Sequence, residues 1–334
     1  MNSLFSPHRS STAIAQSRTA QTYDLSVVVP IYNEHESIHL LIERIIQVLQ
    51  TMSCTYELIC VDDGSTDGSS DVLKQIAQQQ PDIKAVLLRR NYGQTAAMAA
   101  GFHQAAGRVV VTLDGDLQND PADIPRLLDK LSEGYDLVSG WRKDRQDHAV
   151  TRLLPSKIAN WLIGHVTGVD LHDYGCSLKA YRTEVVRDLN LYGELHRFLP
   201  ALAFIEGARI TEIPVGHHAR QFGKSKYGLG RTLRVIMDLL TIYFMKTFLT
   251  RPMHVFGVFG LGCIITGTAI GLYLSFEKFI LLNTIGDRPL LMLAVVLLIS
   301  GVQLFSFGLL AELMMRTYHE SQQRPIYRIR EIVE

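Results

Sequence analysis

Two aspartates separated by one glycine, Asp114 and Asp116, are the residues of this 334-residue chain best suited to chemistry. They follow a run rich in β-branched residues, Val109–Leu113, that predicts a buried strand, and Pro121, which suits a helix start, comes soon after. Paired carboxylates at the carboxyl end of a strand suit a hard divalent cation that also contacts phosphate oxygens. Because Asp and Gly are also common in turns, the pair gains its weight from the rest of the chain.

Alternating strands and helices are predicted to position these aspartates. Four further apolar runs are typical of buried strands, at 25–30, 56–61, 83–88 and 136–140. Two stretches between them, 38–49 and 95–106, are typical of helices. The alternation predicts an α/β fold with a doubly wound, mostly parallel sheet, whose strand-end loops meet at one cleft. The polar residues expected in that cleft are Tyr32, Glu34, Asp62, Asp63, Asp114 and Asp116.

Composition excludes several classes of function. The 33 basic and 33 acidic residues balance, which gives no general field for nucleic acid, so no nucleic-acid partner is predicted. No Gly-x-Gly-x-x-Gly opens the first helix, which argues against a nicotinamide enzyme. The four cysteines lack a paired spacing, which argues against a zinc cluster and a disulfide framework and fits a reduced cytosolic environment.

A basic segment follows the strand at 136–140. Arg142 and Arg145 lie in its loop, and Arg152 and Ser156 lie near the start of the amphipathic helix predicted after it. A solvated surface loop is one interpretation. Beside a site that handles phosphate, and ahead of apolar segments, an anion cradle is favoured.

Two uncharged runs, 253–276 and 290–311, are each long enough to cross a bilayer as a helix. The alternative, buried helices of a soluble core, is less favoured because only a short connector separates the two runs in the sequence. Basic residues flank the pair on its outer sides, so both ends are expected in the cytoplasm. Gly267 and Gly271 could seat a neighbouring helix, or their spacing is coincidental. The tail at 325–330 alternates like a strand that pairs with a neighbouring subunit, or it is a frayed end.

Six motifs together resemble the GT-A enzymes of glycosyltransferase family 2, specifically membrane-anchored polyprenyl-phosphate glycosyltransferases. They are V-V-P-I-Y-N-E (28–34), V-D-D-G-S-T-D (61–67), R-N-Y-G-Q (90–94), L-D-G-D-L-Q-N-D-P (113–121), D-Y-G-C (173–176) and F-G-K-S-K-Y (222–227). The resemblance extends from about Asp24 to the second uncharged run. Within the family the chain is similar to bacterial enzymes that load glucose or 4-deoxy-4-formamido-arabinose onto undecaprenyl phosphate, and more distantly to dolichyl-phosphate mannose synthases.

The resemblance implies a role for each matching residue. Nucleotide binding is implied for Pro30, Tyr32, Glu34, Asp62, Gly93, Gln94 and Asp114. A metal and diphosphate site is implied for Asp114, Asp116 and Gln118. Contacts to acceptor or donor phosphate are implied for Arg142, Arg145, Arg152, Ser156, Arg220, Ser225 and Lys226. The residues expected to act in catalysis are Asp116, Arg142, Arg152 and Ser156. Asp120 departs from the proline that is common in the family, beyond the metal motif.

The implied reaction is an inverting, metal-dependent transfer of one sugar from a nucleotide sugar to polyprenyl phosphate, with Mg²⁺ or Mn²⁺ as cofactor. A UDP-sugar such as UDP-glucose is favoured over a GDP-sugar. A Gln-x-x-Arg-Trp motif, which the processive synthases carry, does not occur in the chain, so a single transfer is expected. Two alternatives stay open: a glycosyltransferase with a saccharide or glycolipid hydroxyl as acceptor, for which Asp173 is the candidate base, and a non-catalytic membrane scaffold of the same fold.

These inferences divide the chain into five parts. A flexible tail (1–23) precedes a GT-A catalytic domain (24–228), a juxtamembrane amphipathic helix (229–251), two transmembrane helices (252–312) and a cytosolic C-terminal tail (313–334). The expected location is the bacterial inner membrane, as a multi-pass protein with a cytosolic catalytic domain. A homo-oligomer, a tetramer by the resemblance, is also expected.

Overall fold

The computed structural model describes residues 23–143, 163–164, 168–187, 189, 191, 193, 195–218, 252–282, 289–321 and 325–334. Side chains of the two long helices are described between 256 and 311. These residues form two compact units. The first holds the described residues up to 218, apart from Gly168, together with 326–334, and the second holds the two long helices.

Eight strands of the described residues form one sheet in the first unit. They are β1 Leu25–Ile31, β2 Tyr56–Asp62, β3 Ile83–Leu88, β4 Val109–Thr112, β5 Leu137–Trp141, β6 Lys179–Arg182, β7 Ile210–Pro214 and β8 Ile329–Val333. The helices of this unit are α1 Ile38–Gln50, α2 Ser69–Gln79, α3 Gln94–Gln104, α4 Ile124–Ser132, α5 Thr183–Arg187 and α6 Leu199–Ile205. Short 3-10 helices span Pro121–Asp123 and Leu195–Phe198.

The strand order across the sheet is β7-β5-β6-β4-β1-β2-β3-β8. Strand β1 lies between β2 and β4 and is parallel to both, and β2 is parallel to β3. Strand β6 is antiparallel to both of its neighbours, β4 and β5, and β8 is antiparallel to β3. The predicted α/β fold with a mostly parallel sheet is therefore confirmed, and the carboxyl ends of β1, β2, β3 and β4 lie at one edge.

The core forms because the central strands and the helices each present apolar side chains to the other. In β1 every residue except Pro30 is buried. Helix α1 buries one stripe at helical spacing, made of Ile38, Leu41, Ile42, Ile45 and Leu49. These side chains belong to the same cluster as Val27 and Val29 of β1. This packing fixes the strand ends, from which the polar loops project.

The C-terminal segment pairs inside its own sheet. Strand β8 forms the outer strand beside β3, and Arg89 donates its backbone N–H to the carbonyl of Arg328 at 2.9 Å. Just before β8, the buried Tyr327 hydroxyl lies 2.6 Å from Nδ1 of His103 on α3. Both interpretations of the tail from its sequence are corrected by this pairing: it is an ordered strand, and its partner is β3 of the same chain.

The second unit contains two long apolar helices, α7 Pro252–Phe279 and α8 Pro289–Ser321. The segments Phe256–Phe279 and Pro289–Ala311 are long and apolar enough to cross a membrane by length and composition. The two helices approach closely where glycines face each other, since a Cβ on Gly301 would lie 2.8 Å from the carbonyl oxygen of Gly260. Gly267 also contacts α8, whereas a Cβ on Gly271 would meet nothing within 4 Å.

Candidate active site

The turn after β4 places Asp114 and Asp116 at the carboxyl edge of the sheet. Leu117 adopts a left-handed conformation with φ of 61°, and Asp116 Oδ1 accepts the backbone N–H of Gln118 at 3.2 Å. Gly115 lies close to β1, because a Cβ there would be 3.3 Å from the carbonyl oxygen of Pro30. The close approach to β1 and the hydrogen bond from Gln118 to Asp116 together hold the turn in a tight conformation. Both aspartates are half-buried residues.

Asp114 is held from two sides. Gln94, the first residue of α3, donates from Nε2 to Asp114 Oδ1 at 2.7 Å, and the Ser177 side chain forms a second hydrogen bond to Asp114. Burial, and next the negative charge of Asp116, raise the pKa of Asp114 above its ordinary value. A cation between the two aspartates would relieve the repulsion that contributes to this shift.

The segment 173–177 packs against this turn. The Ser177 carbonyl accepts the Thr112 hydroxyl at 2.7 Å, and the Ser177 hydroxyl accepts the Asn119 side-chain amide, also at 2.7 Å. From β6, the buried ammonium of Lys179 donates to the carbonyls of Tyr174 and Cys176. Burial lowers the pKa of Lys179. The lysine fixes this segment beside Asp114 and puts a buried positive group near it.

The loops after β2 and β3 are fastened together by Asp63. Its two carboxylate oxygens accept the backbone N–H groups of Tyr92 and Gly93 at 2.7 and 2.9 Å. Burial raises the pKa of Asp63, although these two hydrogen bonds oppose the shift. The clamp holds Gly93, with its φ of 95°, directly before Gln94. Asp63 thereby fixes the residue that contacts Asp114.

Asp62 lies at the end of β2 and is fully buried. Its oxygens accept the Ser65 backbone N–H at 3.1 Å and the Ser70 hydroxyl at 2.6 Å. These bonds join the β2 strand end to the start of α2. In this structure the Asp62 carboxylate therefore organises the loop 62–70, and its implied nucleotide contact stays a prediction.

The loop after β1 forms another wall of the cleft. Pro30, Tyr32 and Glu34 are half-buried at or just beyond the end of the strand. Ser37, directly before α1, donates its hydroxyl to the carbonyl of Gly115 at 3.1 Å, and Glu34 Oε2 lies 3.4 Å from the same hydroxyl. This loop is consequently tied to the turn that carries the two aspartates.

Arg142 leaves the end of β5 and forms a paired contact with Asp173. Its Nε and Nη2 donate to the two carboxylate oxygens at 2.7 and 3.0 Å. Gly175 also donates its backbone N–H to Asp173 at 3.1 Å. Although burial alone would lower the pKa of Arg142, the bond to Asp173 raises it above its ordinary value. Arg142 is therefore a permanent, oriented cation beside the acidic turn.

Segment 215–218 lies beside the last residues of the aspartate turn. Gln118 accepts the His218 backbone N–H through its carbonyl at 2.9 Å, and His218 Nε2 lies 3.1 Å from Asp120. Although burial works against the charged carboxylate, hydrogen bonds from Ala122 and His218 hold the pKa of Asp120 below its ordinary value. Segment 215–218 leads directly into the residues from 219 onward.

The structure brings one group of predicted site residues to the carboxyl edge of the sheet or the loops beside it: Pro30, Tyr32, Glu34, Asp62, Gly93, Gln94, Asp114, Asp116, Gln118 and Arg142. The other predicted residues lie outside the described ranges: Arg145, Arg152, Ser156, Arg220, Ser225 and Lys226. Sequence reasoning gave no site role to Ser177, Lys179 or His218, and it placed Asp63 in the cleft without a function. Ser177 lies directly after the D-Y-G-C motif, which was the available signal.

The donor chemistry of the aspartate turn fits a hard divalent cation. Within the described ranges, no group of three or more His, Cys, Asp or Glu residues could hold a metal ion by itself. A site on Asp114 and Asp116 would therefore be completed by phosphate oxygens and water, which is how Mg²⁺ is usually bound. The side-chain carbonyl of Gln118 is a further oxygen on the same turn.

Comparisons with known proteins give the family context of this site. Residues 26–189 match the family model described as "Glycosyl transferase family 2". The chain is 48% identical to dodecaprenyl-phosphate galacturonate synthase of Rhizobium johnstonii over 318 residues, which cover 94% of each chain. It is 39% identical to undecaprenyl-phosphate 4-deoxy-4-formamido-L-arabinose transferase of Edwardsiella ictaluri over 311 residues, which cover 92% of this chain and 94% of the other.

A solved structure shares the fold at lower similarity. Glucosyl-3-phosphoglycerate synthase from Mycobacterium tuberculosis, in complex with Mn²⁺, UDP and phosphoglyceric acid, superposes with a TM-score of 0.51. The two chains are 20% identical, and the match covers 67% of this chain and 78% of that one. At this identity the likeness supports the architecture of the sheet and its helices.

Proposed function

Since the chain belongs to glycosyl transferase family 2 and is a glycosyltransferase, we propose that it transfers one sugar from a nucleotide sugar to a polyprenyl phosphate. The observation that carries this proposal is the meeting of Asp114 and Asp116 with the fixed cation Arg142 on one side of the sheet. The names of the two relatives reported above support the lipid phosphate as acceptor and a single sugar as cargo.

The acidic turn is proposed to bind the donor. Asp114, Asp116 and Gln118 would hold Mg²⁺ or Mn²⁺, which supplies Lewis-acid neutralisation of the charge that grows on the leaving nucleotide diphosphate. The half-buried Tyr32 and the loop fixed by Asp63 are the proposed contacts for the nucleotide. A UDP-sugar is favoured over a GDP-sugar. Gly93 N–H is engaged by Asp63, so its part in binding is to shape the loop.

The basic side of the site is proposed to receive the acceptor. A phosphate monoester is largely dianionic at neutral pH, so it needs charge neutralisation more than deprotonation. The Asp173 contact uses the Nε and Nη2 edge of Arg142, and within the described ranges Nη1 has no acceptor. The N–H groups of Nη1 are therefore suited to donate to a phosphate oxygen. Direct in-line attack by that oxygen would invert the anomeric centre.

A hydroxyl acceptor is the second candidate, and the structure gives it less support. It requires a general base, for which Asp173 was the candidate from the sequence. The Asp173 carboxylate accepts hydrogen bonds from Arg142 and from the backbone of Gly175. Taking a proton from a hydroxyl would disrupt this arrangement. A scaffold without activity is likewise less favoured, because the relatives reported above are named as a synthase and a transferase.

The two apolar helices and the relatives that act on polyprenyl phosphates both support association with a membrane. The finer statements are proposals: a multi-pass protein of the bacterial inner membrane, a cytosolic catalytic domain, the five-part division of the chain, and a homo-oligomer such as a tetramer. The remaining residues implied to contact phosphate, Arg145, Arg152, Ser156, Arg220, Ser225 and Lys226, are part of the same proposal.

A donor panel tests the function. Purified enzyme in detergent is offered undecaprenyl phosphate with UDP-glucose, UDP-galacturonate, a UDP-linked pentose or GDP-mannose, in Mg²⁺ or Mn²⁺. We expect a lipid-linked monosaccharide from a UDP-sugar and none without the lipid phosphate. Product formed only on a saccharide hydroxyl would contradict the proposal.

Removal of the metal provides the matched test. Asp116→Ala, or EDTA, is expected to abolish transfer while the protein stays folded, because the change affects neutralisation of the diphosphate. Asp129, an exposed aspartate on α4, supplies the control Asp129→Ala, which should behave like the wild type. Full activity in EDTA would rule out the metal step.

A further inference from the structure

An aromatic stack lies directly beside the proposed acceptor site. The rings of Trp141, the last residue of β5, and His172 lie with their centroids 4.3 Å apart and their planes inclined by 21°. The next residue along each segment, Arg142 and Asp173, forms the paired ionic contact described above. Two consecutive residues of one segment therefore contact two consecutive residues of the other.

Glu212 of β7 also fixes His172, through two contacts. Its Oε2 accepts the backbone N–H of His172 at 2.9 Å, and its Oε1 forms a short contact with the His172 Nδ1. The sheet sets the position of Glu212, because β5 and β7 are parallel neighbours with Glu212 opposite Ser139. His172 thus has its ring edge, ring face and backbone N–H all held by residues that belong to two adjacent strands.

The His172 ring acts neither as an acid nor as a nucleophile in the mechanism proposed above. It is nevertheless fixed by three contacts, although its side chain is largely exposed. Its side chain is 66% exposed, whereas that of its partner Glu212 is 13% exposed. A largely buried carboxylate whose partner is an exposed histidine indicates that the position of the histidine matters. What that position determines is the placement of the adjacent Asp173, whose side chain is 4% exposed, against Arg142.

We propose that His172 is a positioning residue for the anionic acceptor: Glu212 and Trp141 fix it, and it sets Asp173 against Arg142 so that the remaining guanidinium N–H groups meet the phosphate. This inference rests on the proposed function. A bidentate contact keeps the guanidinium plane fixed, and a guanidinium that leaves this plane loses the alignment of its remaining N–H groups with the incoming phosphate. The stack therefore acts on acceptor binding and leaves the donor site unchanged.

Steady-state kinetics of the full-length protein with undecaprenyl phosphate test the inference. His172→Ala is expected to raise the KM for the lipid phosphate roughly ten-fold, because a hydrogen bond from Arg142 to the phosphate is weakened, with kcat and the KM for the nucleotide sugar changed by less than about two-fold. Trp141→Ala should act in the same way. Trp141→Phe keeps an aromatic face and should restore a KM near the wild-type value. His39→Ala, at an exposed histidine on α1, is the matched control and should leave both constants unchanged.

Two results would overturn the inference. One is an unchanged KM for lipid phosphate in His172→Ala, and the other is an equal rise in the KM for donor and acceptor, which a merely structural role would produce. If His172→Ala fails to fold, His172→Phe preserves the ring face without the Glu212 bond, and it is expected to raise the acceptor KM alone. A wild-type enzyme that transfers no sugar to lipid phosphate would instead contradict the proposed function.

Discussion

Gln94 Nε2 donates to Asp114 Oδ1 at 2.7 Å, and this bond joins the first residue of α3 to the turn after β4. Asp63 holds the backbone immediately before Gln94, through the N–H groups of Tyr92 and Gly93. The loops after β2, β3 and β4 are thereby linked in series. The resemblance implies that Gln94 binds the nucleotide, and the structure adds a contact to the proposed metal ligand.

We expect Gln94→Leu to weaken metal binding. The amide stabilises the charged form of Asp114 and orients it, and loss of such an outer-sphere partner typically lowers metal affinity by about 10-fold to 100-fold. Titration of Mn²⁺ into the UDP-bound protein, followed by electron paramagnetic resonance, measures the effect without turnover. Gln104→Leu, at the other end of α3, is the control. An unchanged affinity in Gln94→Leu would show that the bond to Asp114 does not support the metal site.

The central strands and the aspartate turn were predictable from the sequence because their signals are local. Strand β3 was predicted with the bounds that the structure shows, and β1 and β2 each extend one residue further. Each predicted run is apolar apart from its second residue, Ser26, Glu57 or Lys84, and such runs are typical of a sheet covered on both faces. Asp114 and Asp116 follow such a run, so their place at the sheet edge followed from the fold class.

Strands β6 and β7 were not predicted, and their patterns explain why. Strand β6 has four residues with a charged residue at each end, Lys179 and Arg182, and most of β7 is only half-buried. Neither gives an apolar run or a clear alternation. The contacts of Lys179 with the carbonyls of Tyr174 and Cys176 form only in the folded chain, so local sequence patterns do not encode them. The pairing of β8 with β3 brings together residues more than 240 positions apart in the same way.

Tyr327→Phe is expected to loosen the C-terminal strand. The change removes the hydrogen bond with His103, and a typical intramolecular hydrogen bond contributes about 1 kcal/mol. Hydrogen exchange at the backbone amides of β8 should become faster, while exchange in β1 should stay the same. Exchange that is equally fast in both strands would indicate a general loss of stability instead.

The same contact predicts a pH dependence. Burial lowers the pKa of His103 below its ordinary value of 6.5, so the folded state takes up a proton less readily than the unfolded chain. The stabilising contribution is therefore fully present above 6.5 and is lost as the pH falls below it. The protection of the β8 amides from hydrogen exchange should therefore decrease as the pH falls below about 6.5. His103→Asn should remove this part of the pH dependence.

Gly301→Ala is expected to destabilise the pair of apolar helices. The added Cβ would lie 2.6 Å from Cγ1 of Ile264 and 2.8 Å from the carbonyl oxygen of Gly260, so the helices would have to separate. Overpacking of this kind costs about 1–3 kcal/mol. Gly271→Ala is the matched control, because a Cβ there meets nothing within 4 Å. Thermal unfolding in detergent should show a lower midpoint for the first variant alone, and equal midpoints would contradict the close packing.

The final prediction concerns membrane topology. The chain leaves the sheet before α7 and returns to it at β8, since β8 pairs with β3. Residues before and after the helix pair must therefore lie on one side of the membrane, which requires an even number of crossings. If both helices cross, their connector faces the opposite side, and we expect the sheet in the cytoplasm because basic residues flank the pair on its outer sides. Nucleotide sugars would then reach the site from the cytosol.

Cysteine labelling of intact cells tests this arrangement. In a background without Cys54 and Cys263, the two half-exposed native cysteines, single cysteines are placed at Asn283 in the connector or Gln323 after the second helix. An impermeant thiol reagent should label Asn283→Cys from outside, and it should label Gln323→Cys only after the cells are permeabilised. Labelling at neither position in intact cells would mean that the pair does not cross. Labelling at Gln323→Cys alone would place the sheet outside and contradict a cytosolic donor site.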